Sequence, residues 1–358
     1  MTCTKRGRCE EEERWRVWEL LLPWLPPRDI ASVSSACTSL RRLSAAVSAR
    51  RASDASRGLE RRPIPFRGHP RSSSSSSSPP PPYSCFLYTP HPVAARRSLP
   101  PDPFSLPWGG ETEKPTPASP SPFAAFVDYG GSGGCDCGEG QDEEGCCRLP
   151  GEGCPCGFLS PDFRGAEEGA AGGVMTECGP GCRCGAGCGN RRTQGRLEVG
   201  VEIAWDERKG WGLRASQLIQ KGEFVCEYAG EFLTTEEARR RQRMYDELAT
   251  SGQFAPALLV VREHLPSGKA CLRINIDATM IGNVARFINH SCDGGNLLSI
   301  LVRNSGSPLP RLCFFAARHI QEGEELTFSY GETRVKPKGR PCFCRSPCCQ
   351  GTLPSEET

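Results

Sequence analysis

Twenty-two cysteines, many of them in closely spaced groups, are the residues of this chain whose type and spacing best indicate chemistry. We expect a reducing compartment, because acidic residues fill positions 10–13, where a secretory signal would need an apolar segment. Reduced thiolates in tight groups are typical ligands of zinc, which binds four of them in a tetrahedron. The spacing therefore predicts structural zinc and not disulfide bonds.

The first group of cysteines lies between positions 135 and 188. Its ten members are Cys135, Cys137, Cys146, Cys147, Cys154, Cys156, Cys178, Cys182, Cys184 and Cys188. Nine thiolates, three of them shared between two ions, would complete the tetrahedra of three zinc ions. Such a cluster carries excess negative charge, which Arg183, Arg191 and Arg192 could partly offset. The segment is rich in glycine and poor in large apolar residues, so we expect it to fold only with metal.

Four short segments in the second half of the chain combine glycines, tyrosines and an Asn-His pair. They are KGWGL at 209–213, EYAGE at 227–231, RFINHSC at 286–292 and EELTFSYG at 324–331. Glycines allow a backbone to approach a ligand closely. A single tyrosine or histidine is more often a packing residue than a catalytic one. A functional role for these residues is therefore indicated only by the four segments together, in this order.

These segments, together with the cysteine pattern that ends in CGNR at 188–191, resemble the suppressor-of-variegation class of histone-lysine methyltransferases. The resemblance covers about residues 135–352, and the chain is similar to the small plant members of that class. It implies a mostly β SET fold with a pseudoknot at 289–292, flanked by zinc-binding pre-SET and post-SET segments. It also implies that the ninth ligand of the first cluster is Cys147, although the stretch before the next C-x-C is longer than usual.

The resemblance further implies roles for particular residues. The residues that would hold S-adenosylmethionine are Lys209, Gly210, Trp211, Arg286, Asn289 and His290, and those that would line the lysine channel and act in catalysis are Tyr330, Tyr228 and Phe328. A fourth zinc ion would bind the last cysteine cluster through Cys342, Cys344, Cys349 and the more distant Cys292, giving about four ions in all. Many relatives carry a cofactor-contacting tyrosine where this chain has QFAPAL at 253–258; Phe254 could substitute in part.

The reaction that this resemblance implies is methyl transfer from a sulfonium to a lysine amine. The amine must be neutral to attack, and removing its proton at pH 7 costs roughly 4–5 kcal/mol, given a free lysine pKa of about 10.4. A narrow apolar channel and the positive charge of the cofactor both favour the neutral amine. Oriented oxygens and aromatic walls are then more important than a strong general base.

Composition divides the chain into five segments. Residues 1–62 are predicted to form a helical module that resembles a degenerate F-box, with Asp29 or Ser32 as a helix cap. Residues 63–130 are rich in proline and serine and predict a disordered linker. The remaining segments are pre-SET at 131–195, SET at 196–333 and post-SET at 338–354. Short apolar strands are expected within 197–203, 224–228, 258–261, 272–276 and 312–316, and a helix is expected after Thr234.

The resemblance implies a nuclear, chromosomal protein that binds chromatin and modifies the histone H3 tail, with the ninth residue of H3 as the usual target. Two alternatives remain open: an F-box-like adaptor of a ubiquitin ligase, and a zinc-containing chromatin module without activity. No apolar run reaches the ~18 residues of a membrane span. Arginines of the N-terminal part indicate either a solvated basic stretch or a nucleic-acid contact.

Overall fold

The computed structural model describes residues 15–25, 27–67, 86–95, 174–185, 187–249, 256–264, 271–307, 309–331 and 339–354. Three α-helices in these ranges are α1 (Pro27–Ala36), α2 (Thr38–Ser53) and α3 (Thr235–Ala249), and residues 15–21 are also helical. Among the described residues, no helix has both the length and the hydropathy to cross a membrane.

Short strands make up most of the remaining regular structure. They are β1 (Phe66–Arg67), β2 (Leu87–Tyr88), β3 (Val93–Ala94), β4 (Met175–Glu177), β5 (Val201–Asp206), β6 (Gly210–Ala215), β7 (Phe224–Glu227), β8 (Gly230–Leu233), β9 (Leu258–His264), β10 (Cys271–Gly282), β11 (Asn289–His290), β12 (Leu297–Asn304), β13 (Arg311–Ala316) and β14 (Thr327–Phe328). The predicted mostly β fold is confirmed.

The strands form several small sheets. One sheet has the order β1-β5-β6, a second has the order β2-β10-β8-β3 with β9 also paired to β10, and a third has the order β4-β12-β13-β7. The pair β11–β14 stands apart from these sheets. Strands β9 and β10, which include the strands expected at 258–261 and 272–276, pair antiparallel. The strand expected from 197 begins only at Val201, although Leu197 and Val199 are also buried.

Helix α3 begins where its cap was predicted. The backbone N–H of Glu237 donates to Thr234 Oγ1 at 3.2 Å, which satisfies one of the free N–H groups of the first turn. The helix is attached to the sheet by the buried Arg241, whose guanidinium binds the carboxylates of Glu231 at 2.6 Å and Asp277 at 2.8 Å. Because all three side chains are almost fully buried, they satisfy one another within the protein.

The N-terminal helices differ from the prediction of a helix capped by Asp29 or Ser32. Helix α1 begins at Pro27, a residue suited to a first helical position, and neither Asp29 nor Ser32 is its cap. The chain becomes extended at Cys37, whose sulfur accepts a hydrogen bond from the N–H of Leu40 and caps α2. The break was not predicted because cysteine is an uncommon capping residue and the apolar spacing continues across it.

The predicted disordered linker is wrong at three short places. Strands β1, β2 and β3 all lie within 63–130 and each pairs in parallel with a strand of the SET region: β1 with β5, β2 with β10, and β3 with β8. Two-residue strands have no periodicity to reveal them, and their partners lie more than a hundred residues away. Of the residues predicted as linker, the structure describes 63–67 and 86–95, and the others lie outside the described residues.

The N-terminal segments share the main hydrophobic core. Ile64, Phe86 and Tyr88 are buried in the same cluster as Ile203 and Phe314. The carboxylate of Glu60 also connects these segments to the β-rich region. It accepts from the Tyr88 hydroxyl at 2.7 Å and from the Leu197 N–H at 2.8 Å. The segments that contain Ile64, Phe86 and Tyr88 therefore pack against the β-rich region, whereas the helices enclose a separate small core of Leu22, Ile30 and Val47.

Candidate functional site

The Asn-His pair lies at the junction of two distant chain segments. Asn289 pairs with Thr327 and His290 with Phe328 in the parallel pair β11–β14. The N–H of Ser291 continues the ladder by donating to the Phe328 carbonyl at 3.0 Å. This junction lies where the resemblance predicted the pseudoknot, and it brings segments 286–292 and 324–331 side by side.

A carboxylate fixes the Asn289 side chain. The amide nitrogen of Asn289 donates to Glu325 Oε1 at 2.9 Å and more weakly to the Trp211 carbonyl at 3.4 Å. The other oxygen of Glu325 binds the Lys209 ammonium at 2.5 Å. Lys209 and Glu325 are mostly but not fully buried. Glu325 was not singled out from the sequence, although it lies inside the EELTFSYG segment.

The two glycines of segment 209–213 are required for different structural reasons. Gly210 has φ +81°, a conformation that side chains with a Cβ rarely adopt. At Gly212 an added Cβ would lie 3.0 Å from Asn289 Nδ2 and 3.1 Å from Glu325 Oε1. The small residue is therefore what allows β6 to approach the Asn289–Glu325 contact.

Aromatic rings form a continuous line through the site. The ring centroids of Tyr228 and Phe314 are 6.4 Å apart, those of Phe314 and Phe328 4.7 Å, and those of Phe328 and Tyr330 5.0 Å. His290 extends the line, 5.3 Å from Tyr330. Four of the predicted site residues are thus brought together, and Phe314, predicted only as a strand residue, lies between Tyr228 and Phe328.

Both tyrosine hydroxyls donate to backbone carbonyls. The Tyr330 hydroxyl donates to the Ile288 carbonyl at 2.8 Å, and the Tyr228 hydroxyl donates to the Ala257 carbonyl at 3.0 Å. Burial raises the pKa of each phenol well above its usual 10, so both stay protonated at neutral pH. Each hydroxyl oxygen keeps lone pairs that can accept a further hydrogen bond.

His290 serves chiefly as a link. Its Nδ1 accepts from the Tyr330 N–H at 3.1 Å, and its Nε2 lies 3.2 Å from the Cys292 sulfur. Burial lowers the pKa of this imidazole, which favours its neutral form. The ring therefore connects the segment of Tyr330 to the last cysteine cluster.

Arg286 is held by aromatic rings. Its guanidinium lies 4.5 Å from the ring centre of Phe86 and 5.3 Å from that of Phe287. Cations over aromatic faces are stabilised by the ring quadrupole. The structure thus joins this predicted cofactor residue to the N-terminal segment 86–95.

The last cysteine cluster assembles from two regions of the chain. The sulfurs of Cys292, Cys342, Cys344 and Cys349 all lie within 4.8 Å of one another, and those of Cys292 and Cys342 are 3.8 Å apart. A tetrahedral zinc with bonds of about 2.3 Å requires sulfurs about 3.8 Å apart, so the donor set fits zinc. Burial raises the pKa of the Cys344 thiol, but hydrogen bonds from the backbones of Cys292 and Ser346 outweigh it and lower the pKa to about 6.

The first cysteine cluster is described only in part. Cys178, Cys184 and Cys188 bring their sulfurs within 4.8 Å of one another, while Cys182 accepts a hydrogen bond from the Gly179 N–H at 3.2 Å. The guanidinium of Arg191 donates to the Cys184 sulfur at 3.5 Å, which places it beside the cluster whose charge it was predicted to offset. The other predicted ligands lie outside the described residues: Cys135, Cys137, Cys147, Cys154 and Cys156.

Comparison with known proteins agrees with this geometry. The SET domain family matches residues 210–331. Histone-lysine N-methyltransferase SUVR3 of Arabidopsis thaliana is 49% identical over 354 residues, which cover 96% of this chain and 92% of that protein.

Solved structures give the same result. The methyltransferase domain of human histone-lysine N-methyltransferase SETMAR matches with a TM-score of 0.53 at 27% identity, covering 84% of this chain and 97% of that one. KRYPTONITE in complex with mCHH DNA, H3(1-15) peptide and SAH matches with a TM-score of 0.53 at 26% identity, covering 84% and 53%. On the strength of the match to SUVR3, which extends over nearly the whole of both proteins, the chain belongs to the SET-domain histone-lysine N-methyltransferases.

Proposed function

We propose that this enzyme transfers methyl groups from S-adenosylmethionine to the histone H3 tail, with the ninth residue, a lysine, as its target. The observation that carries the proposal is the junction of β11 and β14, which sets Tyr330 beside His290 and the last cysteine cluster. The H3(1-15) peptide bound to the similar KRYPTONITE supports the choice of substrate.

The lysine amine would meet two oriented hydroxyl oxygens. Tyr330 and Tyr228 each direct their proton to a backbone carbonyl, so their oxygens can accept from the amine or from a polarised methyl group. Phe314 and Phe328 provide apolar surroundings that favour the neutral amine. Neither tyrosine acts as a base, because burial keeps both phenols protonated, and the amine proton leaves to solvent before transfer.

The polar residues around Asn289 match the cofactor's amino-acid end. Lys209 and Glu325 offer the opposite charges that a zwitterion requires, and Asn289 lies against Glu325. We assign cofactor binding to Lys209, Gly210, Trp211, Arg286, Asn289 and His290. When bound, S-adenosylmethionine supplies the electrophilic methyl group and a positive charge that lowers the amine's proton affinity. The similar KRYPTONITE was solved with SAH, the demethylated cofactor.

Zinc would have a structural role in both clusters. In the C-terminal one, the ion would tie the tail at Cys342, Cys344 and Cys349 to Cys292, two residues after His290. In the first, three ions would be held by Cys178, Cys182, Cys184 and Cys188 together with ligands from 135–156. All four coordination positions of each zinc ion can be filled by cysteine, because the reaction requires no Lewis acid.

The stretch 253–258 lacks the tyrosine that many relatives carry, and the structure describes its residues 256–258. Ala257 stands in this stretch, and its carbonyl accepts from the Tyr228 hydroxyl at 3.0 Å. This acceptor is a backbone atom, so Tyr228 keeps its hydrogen bond whatever side chains the stretch carries. We infer that the enzyme is active in spite of this departure, and not only a chromatin-binding module. The adaptor hypothesis for residues 1–62 stays a prediction.

A peptide array tests the substrate assignment. Full-length zinc-loaded protein would be incubated with S-adenosylmethionine and overlapping peptides of the core histones, and methylation would be mapped by tandem mass spectrometry. We expect methylation on the ninth residue of H3 and its loss when that lysine is replaced by arginine. Transfer to a different lysine would change the assigned target lysine but not the assigned reaction. We further expect a nuclear and chromosomal location, which imaging of the tagged protein tests.

A further inference from the structure

Helix α2 presents a basic surface to solvent. Arg41, Arg42 and Arg50 are exposed on one side of it, whereas the opposite side is buried. The exposed positions between them are alanines, Ala45, Ala46 and Ala49. At 100° per residue all six fall within one half of the helix circumference. The helix contains no acidic residue, so nothing within it offsets this charge.

The acidic residues that follow α2 are turned inward. Between 38 and 67 these are Asp54 and Glu60. Asp54 accepts from the N–H groups of Ser56 at 2.9 Å and Ile64 at 3.0 Å, which organise the turn after the helix. Glu60 is buried and accepts from Tyr88. Both carboxylates are thus engaged in holding the fold.

The remaining arginines of this region are also engaged. Arg51 is 4% exposed and donates to two backbone carbonyls of the preceding loop. Arg61 pairs with Glu198 at 2.6 Å, and Arg67 pairs with Glu202 at 3.5 Å. By contrast, Arg41, Arg42 and Arg50 form no ion pair with any residue that the structure describes. We call these three the α2 arginines.

We propose that the α2 arginines bind the DNA phosphate backbone of the nucleosome that carries the histone tail substrate, an inference that rests on the proposed function. Arginine is suited to phosphate because its planar fork donates two hydrogen bonds at once. Arg42 and Arg50 are eight residues apart, roughly 12 Å along a helix axis. That distance is close to the ~12 Å width of the major groove, so the two can reach phosphates on opposite strands. The alanines between them allow close approach.

The position of α2 would let DNA contact assist catalysis. The segment after the helix joins β1, whose Phe66 is in register with Ile203 of β5. Strand β5 pairs with β6, which carries Trp211 and Gly212 of the candidate site. Because the segment that follows the helix is paired with the catalytic sheet, DNA bound at α2 would hold the tail near the site. The expected benefit is a lower KM for nucleosomes, with no effect on free tail peptide.

The test compares two substrates. The variant replaces Arg41, Arg42 and Arg50 with glutamine, a second replaces them with lysine, and a matched control replaces the exposed Arg239 and Arg243 of α3 with glutamine. The triple glutamine variant should raise KM for nucleosomes at least tenfold and leave KM and kcat for an H3 tail peptide within about twofold of wild type. The lysine variant should keep part of the effect, and the α3 control should match wild type.

Fluorescence anisotropy measures binding to bare duplex DNA. Because this binding needs no methyl transfer, the result separates this proposal from the proposed function. Each phosphate contact contributes about −0.9 to the slope of log K against log salt, so loss of three should reduce the slope by about 2.7. Unchanged nucleosome KM, or an equal loss on free peptide, would overturn the proposal. If duplex DNA bound wild type and variant equally while nucleosome KM rose, the partner would be a histone surface and the assignment to DNA would fail.

Discussion

The hydroxyl of Tyr330 donates to the backbone carbonyl of Ile288 across 2.8 Å, although 42 residues separate them. Ile288 directly precedes Asn289, so this bond joins the end of the EELTFSYG segment to the start of the Asn-His pair. The bond also directs the phenolic proton to this carbonyl, which leaves lone pairs of the oxygen available to a substrate amine.

Replacement of Tyr330 by phenylalanine should reduce turnover more than tenfold. Only the hydroxyl is lost, so the ring contacts with His290 and Phe328 and the fold should remain. Turnover on an H3 tail peptide would be measured beside cofactor binding by calorimetry, which should change little. If the variant kept more than a tenth of wild-type turnover, less than about 1.4 kcal/mol of barrier would depend on the hydroxyl, and the catalytic assignment would be wrong.

Phe328 should influence how many methyl groups are added. Its ring lies 5.0 Å from that of Tyr330, and phenylalanine leaves space that a tyrosine hydroxyl and its water would fill. We expect di- or trimethylation by the native enzyme and a shift toward monomethyl product in Phe328→Tyr with turnover largely kept. Mass spectrometry over a long time course with excess cofactor measures this. A native enzyme that stops at one methyl, or an unchanged product ratio, would defeat the idea.

Thr279 should hold Tyr228 in place through Ala257. Its hydroxyl accepts from the Ala257 N–H at 2.9 Å, and its own N–H donates to the buried Asp277 at 2.9 Å. Thr279→Val keeps the shape but leaves the Ala257 N–H unsatisfied, which costs about 1–3 kcal/mol of stability. We expect a tenfold fall in kcat with a smaller change in KM.

The matched control for this change is Thr279→Ser, which retains the hydroxyl and should restore kcat. Denaturant unfolding would establish that the valine variant is folded under assay conditions. Equal kcat in the valine and serine variants would show that the position affects stability only.

The zinc content should be about four ions per chain, three in the first cluster and one at the tail. Cys349→Ser should remove one ion and most activity, since it breaks the link between the tail and Cys292. Cys348→Ser is the matched control, because this neighbouring cysteine is exposed and outside the group of four sulfurs. Elemental analysis measures both variants. Only one or two zinc ions in active native protein would contradict the count, as would an equal loss in the two variants.

The sequence predicted features that depend on only a few residues. Thr234 capped its helix because a cap needs only a side chain and a nearby N–H. The gathering of Cys292 with the tail cysteines followed from the resemblance and from the number of ligands that zinc requires. In each case the residue had few alternative partners, so the contact could be predicted without the fold.

The features that sequence reasoning missed depend on distant contacts. Strands β2 and β3 are two residues long and exist because β10 and β8 offer free edges to pair with. Glu325 gained its role only when β14 placed it against Asn289 and Lys209. Phe314 became part of the aromatic line because β13 lies beneath the site, which no local pattern reveals.

Transfer of an isotopically labelled methyl group from S-adenosylmethionine to the H3 tail tests the central claim most directly. The zinc-loaded native protein and the Tyr330→Phe variant would be incubated with labelled cofactor and intact histone H3, and the label would be located by tandem mass spectrometry. The account predicts label on a lysine of the tail with the native protein and at least tenfold less with the variant. Native protein that binds the cofactor yet labels no histone lysine would contradict it.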